Sequence, residues 1–171
     1  MSSLVKYIVH FTFIFLIQVL LLQSISLPIG RFYLSVFIFP LFIILLPFET
    51  EAYVGLLVAF GLGLLTDMFY DSPGVFASAG VFAAFVRPLV LTLNEPKTGY
   101  ARDASPVISS MGLVWFLRFS IPLVLCFVLF YCFIEVFTFR GMGNAILKTL
   151  ISVPISLILT MLYVIIFNPR L

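Results

Sequence analysis

Few groups in this chain are able to do chemistry, because 63% of its 171 residues are hydrophobic and only 9% are charged. Asp67 and Asp71 stand at i and i+4, so on a helix they share a face or straddle its end. Paired carboxylates do acid–base work or bind a cation, while two acids beside a turn are often simply solvated. Arg87 and Arg118 fall inside apolar runs. A charge at the bilayer centre costs about 2.5–3.5 kcal/mol on insertion scales. Each arginine therefore snorkels, pairs with an acid, or lines a polar pocket or partner groove. His10, alone in an apolar run, reads as a proton relay or as an interhelical hydrogen bond. Cys126 and Cys132 fall on roughly opposite faces of one helix and cannot bridge each other within it. No histidines or thiolates stand at metal-ligand spacing, no glycine-rich phosphate loop follows a strand, and nothing orients His10 toward a serine. The expectation is a non-enzyme without metal or cofactor.

The elements that position these residues follow from composition. Soluble domains carry about 25% charged residues, so so few charges point to an integral membrane protein. A net charge of +2 with scattered basic residues argues against a nucleic-acid partner. The apolar runs predict about six membrane-spanning helices in one all-α domain covering residues 1–171. They are Leu4 to Leu22, Phe32 to Leu46, Ala52 to Phe69, Val75 to Leu93, Met111 to Ile134 and Ala145 to Phe167. The first has no small-residue cleavage site after it and reads as a retained span. The second is short and holds Pro40, which predicts a kinked or slightly re-entrant segment.

The third and fourth spans form the distinctive hairpin. Gly55, Ala59, Gly63 and Asp67 follow one another at i, i+4, drifting by only about 40° per step, a slowly winding small-residue seam. Ala77, Gly80, Ala84 and Arg87 share a second face within about 80°. Small residues so spaced admit close helix approach. The intervening DSPG, Asp71 to Gly74, is a turn. At 1.5 Å per residue, Arg87 lies roughly 20 Å from that turn while Asp67 lies almost at it. An Asp67–Arg87 ion pair is therefore not expected. Glu49 and Glu51 match Arg87 in depth, as does Arg118, and Asp67, Asp71, Glu135, Arg140 and Lys148 could cluster at the opposite face. With both termini in the cytoplasm, Lys6, Lys97, Arg102 and Arg170 face inward against Arg31, Arg140 and Lys148 outward, a thin positive-inside majority.

Gly61, Gly63 and Asp67, then Ser72, Pro73 and Gly74, then Ala77 to Ala84 resemble the central hairpin of the rod shape-determining protein MreD family. FPLFIILLPFETE before it and VFAAFVRP at its end resemble the branch found in some Gram-negative bacteria. The similarity covers most of the chain and is strongest from Phe39 to Pro88. It implies a multi-pass inner (cytoplasmic) membrane subunit of the cell-elongation machinery. Such a subunit binds MreC and helps link the MreB filament to peptidoglycan synthesis by a RodA-type glycosyltransferase and its penicillin-binding partner. It also implies a fold similar to the S components of energy-coupling-factor transporters, with a central cavity whose ligand (a lipid, a precursor or another molecule) the resemblance leaves open. A small-molecule-binding transport protein is the alternative. The candidate pocket or partner residues are Gly63, Asp67, Asp71, Gly74, Gly80, Ala84, Arg87 and Arg118.

Overall fold

Four of the apolar runs form helices long and apolar enough to cross a membrane. The structure, a computed structural model, describes residues 3–22, 27–29, 32–97, 99–100, 106–136 and 142–167. The four are α3 (Ala52–Tyr70), α4 (Val75–Leu93), α6 (Leu113–Val136) and α7 (Met142–Phe167). Their bounds differ by at most three residues from those expected for the third to sixth spans. Large apolar side chains such as Leu57, Met68, Phe85, Leu89, Leu150 and Ile158 are exposed on them. That inverted surface suits lipid and not water.

At the N-terminus α1 (Ser3–Leu16) continues as a π-helical segment, Ile17–Leu22, so helical backbone fills the first expected span. The next expected span does not form as a membrane-crossing helix. Leu27–Ile29 (β1) and Phe32–Leu34 (β2) instead pair as a small antiparallel hairpin, with Leu27 opposite Leu34. This short ladder is a local exception in a fold whose other elements among the described residues are helical, as the all-α reading expects. Irregular backbone follows, and then one short helix, α2 (Pro40–Ile44). Five residues rise only about 7.5 Å, against the roughly 30 Å of hydrocarbon. Pro40 sits in the first turn of α2, where its missing N–H is one of the orphan donors in any case, so it opens a helix and does not kink one.

The stretch from Val36 to Leu46 is the centre of the molecule, buried at every position. α2 packs against α1, α3, α4 and α6. Around it Phe37 meets Tyr131 at 4.5 Å between ring centroids and Phe39 stacks on Phe127 at 5.1 Å. Phe76 completes the group, 5.0 Å from Tyr131. Irregular backbone is tolerated at membrane depth only where protein surrounds it, and here protein does.

A single-turn helix, α5 (Ile108–Met111), precedes α6, and Gly112 between them has φ 83°, a conformation that favours glycine. Lys148 of α7 and Glu135 of α6 are ion-paired at 2.5 Å. Glu135 is exposed, and a pair to a solvated carboxylate contributes little, so Lys148→Met should lower stability by no more than about 1 kcal/mol, read from thermal unfolding in detergent. Arg31, Arg102, Arg140 and Arg170 lie outside the described residues.

Candidate functional site

Asp67 lies in the last turn of α3, and its carboxylate caps the first turn of α4. Its side chain is 4% exposed, and both carboxylate oxygens are occupied. Oδ1 accepts hydrogen bonds from the Phe76 backbone N–H at 2.8 Å and the Ser72 hydroxyl at 3.1 Å. Oδ2 accepts from the Ala77 N–H at 3.0 Å. A helix N-terminus leaves orphan N–H groups and carries partial positive charge, so a carboxylate there satisfies both at once. The chain reverses over two left-handed residues, Asp71 at φ 49° and Gly74 at φ 84°. Aspartate tolerates that conformation better than most side chains, and glycine adopts it freely. Asp71 itself is exposed and lines a shallow cleft of about 380 Å³ with Asp67, Pro73 and Gly74. The two aspartates thus share a cleft, but the Asp67 oxygens are already committed to the fold.

The two seams close on the chain itself. A methyl placed on Gly63 would fall 2.4 Å from Ala77 Cα and 2.7 Å from its nitrogen, so the backbones of α3 and α4 touch there. One placed on Gly80 would fall 2.9 Å from the Phe39 ring and 3.3 Å from the Ala59 carbonyl oxygen. Gly80 therefore admits both α3 and the buried central segment. Its tightest neighbour is a side-chain ring edge that can shift, so Gly80→Ala should cost about 1 kcal/mol, measured by unfolding in detergent. Gly61 has open space around it.

Arg87, also 4% exposed, lies at the far end of α4 from Asp67 and has no contact with it. Its Nη2 donates to the Leu46 carbonyl at 2.6 Å and the Pro47 carbonyl at 3.0 Å. The arginine thereby secures the exit of the central segment, as Asp67 secures the start of α4. Its Nε–H is buried and has no partner among the described residues. No carboxylate pairs with it, since Lys148–Glu135 is the ion pair found among the described residues. A cleft of about 270 Å³ opens beside it, lined by Ala84, Thr50, Glu51, Thr92, Glu95 and Tyr100. The Tyr100 phenol is held above its ordinary pKa, chiefly by burial and further by the Glu95 charge, against the lowering effects of Trp115 and Arg87. Glu51 does share the arginine's depth as expected. Arg118 does not join the site, because it is exposed on α6 and absent from the cleft lining.

Gln18 and Tyr70 were not legible as site residues. Gln18 is fully buried in the π segment, and its Oε1 accepts from the N–H groups of Ile38 at 2.8 Å and Phe39 at 3.1 Å. Its Nε2 donates to the Tyr70 hydroxyl at 2.7 Å, and that hydroxyl donates to the Gln18 carbonyl at 2.8 Å. Ser156 of α7 accepts from the Phe37 N–H at 3.0 Å. Side chains thus replace the water that this irregular backbone lacks. The signal was an amide in an apolar span followed by a proline-broken segment. Gln18→Leu should cost about 2–3 kcal/mol, because it strands the buried N–H groups of Ile38 and Phe39 while Tyr70 keeps its bond to the backbone carbonyl of residue 18. Loss of cooperative unfolding in detergent reports it. His10 Nδ1 lies 3.1 Å from the Tyr163 hydroxyl, an interhelical hydrogen bond between α1 and α7.

Fold and site define a helical membrane protein in which buried polar groups fasten a helical hairpin to an irregular central segment. No family model, curated protein or solved structure matches the chain.

Proposed function

We propose that this chain is a non-catalytic membrane subunit of the bacterial cell-elongation complex, of the rod shape-determining MreD type. It resides in the inner membrane with both termini in the cytoplasm. There it binds MreC and helps couple MreB filaments to peptidoglycan synthesis by a RodA-type glycosyltransferase and its penicillin-binding partner. The observation that supports this reading is the construction of the α3–α4 hairpin. Its chemically able side chain, Asp67, has both oxygens engaged in capping α4, and Gly63 is in contact with Ala77. A unit locked in this way serves as a rigid scaffold. Because Gly63 and Gly80 are filled from within the chain, partner docking falls to the outward faces of the helices.

The second reading is a small-molecule-binding transport protein like the S components of energy-coupling-factor transporters. The cleft beside Arg87 is the observation in its favour. Depletion followed by microscopy, with crosslinking to MreC, separates the two. Rounded cells and a specific crosslink are expected. Rods that persist, with no crosslink at normal protein level, would remove the elongation reading.

A further inference from the structure

We propose that the cleft between α3 and α4 beside Arg87 binds a phosphate–ammonium group, presented as the headgroup of an ethanolamine phospholipid. The inference rests on the first functional reading, since the transport reading would give this same cleft to a soluble ligand. A guanidinium offers five N–H donors and always carries its charge. In Arg87 two bonds go from Nη2 to neutral carbonyls, the Nε–H has no partner among the described residues, and the side chain is 4% exposed. A buried cation without a counter-charge is costly, and a bound anion relieves it through charge-assisted hydrogen bonds. Thr50 in the lining adds a hydroxyl suited to a phosphate oxygen, whereas the Thr92 hydroxyl already donates to the Pro88 carbonyl at 3.0 Å.

Two features select the ligand. Glu51 and Glu95 also line the cleft, and both are exposed. They disfavour a purely anionic ligand and provide for an ammonium next to the phosphate. Beside the cleft, Phe48 stacks on Tyr100 at 4.3 Å, and Trp115 stands edge-on to Phe48 at 5.6 Å while donating to the Asn94 carbonyl at 2.9 Å. Tyrosine and tryptophan gathered at the end of a spanning helix mark headgroup depth. Soluble phosphoethanolamine offers the same polar chemistry but has no acyl chains to lie against the apolar outer faces of α3 and α4.

The test titrates purified full-length protein in detergent with phosphatidylethanolamine, phosphatidylglycerol and free phosphoethanolamine, and reads bound species by native mass spectrometry. The ethanolamine lipid should bind about threefold more tightly than the glycerol lipid, the difference that one ion pair to an exposed carboxylate supplies. The Glu51→Gln/Glu95→Gln double variant, changed only at exposed positions, should lose that preference and keep the binding common to both lipids. Arg87→Lys, which retains a charge and a donor for the Leu46 carbonyl, should weaken both lipids. Equal binding of the two lipids by the wild type, or a preference that survives in the double variant, would overturn the proposal. Free phosphoethanolamine binding as tightly as the lipid would overturn the lipid assignment and make the site one for a soluble ligand.

Discussion

Asp67→Ala is expected to destabilise the protein by about 3 kcal/mol, since hydrogen bonds to a charged group contribute about 1.5–3 kcal/mol each and do not add fully. The alanine leaves the Phe76 and Ala77 N–H groups without an acceptor in a buried setting, and the Ser72 hydroxyl without its partner. It also removes the negative charge from the positive end of α4. Asp67→Asn should fall between, because one amide oxygen replaces two carboxylate oxygens. Ser72→Ala should cost about 1.5 kcal/mol, the low end for a hydrogen bond to a charged group, because this one is long and only part-buried. Thermal unfolding of the detergent-solubilised protein gives the order. A wild-type transition in Asp67→Ala would mean that the carboxylate is free for another role, and the acid–base or cation reading would return.

Gly63→Ala is expected to be the most damaging single methyl among the described glycines. The added carbon has to displace the Ala77 backbone, which the Asp67 bonds hold in place, and overpacking of this kind costs about 3 kcal/mol. Gly61→Ala, two residues away on the same helix, meets nothing and should be neutral or stabilising by up to about 1 kcal/mol, the helix-propensity gain over glycine. The contrast removes the objection that any change in a glycine-rich span does harm. Comparable losses at both positions, measured as folded yield and unfolding temperature, would show that the α3–α4 contact is looser than the structure has it. Because the two effects meet at Ala77, Asp67→Ala combined with Gly63→Ala should lose less than the sum.

Much of this was open to reading from residues in order. Length and polarity of an apolar run decide whether it can span hydrocarbon, so α3, α4, α6 and α7 stand close to where periodicity and breakers put them. The i, i+4 spacing of Gly55, Ala59, Gly63 and Asp67 placed the close helix approach on the correct face, since helical geometry is local. Depth arithmetic likewise separated Asp67 from Arg87. For Arg118 it gave height alone, because rise per residue says nothing of which way a side chain turns about the bundle, and Arg118 is exposed away from the cleft.

The membrane class, the four long helices and the sharp reversal between α3 and α4 are local consequences of hydrophobic length, small-residue spacing and turn chemistry, and so are written in residue order. The fate of residues 32 to 46 is set instead by packing across the molecule. An apolar stretch is equally suited to lipid and to a protein interior, and what separates the two is whether partners elsewhere satisfy its backbone. Gln18 and Ser156 supply those partners from distant helices, and Arg87 closes the far end. The expected span thus becomes the core, and the arginine beside it keeps a donor to offer.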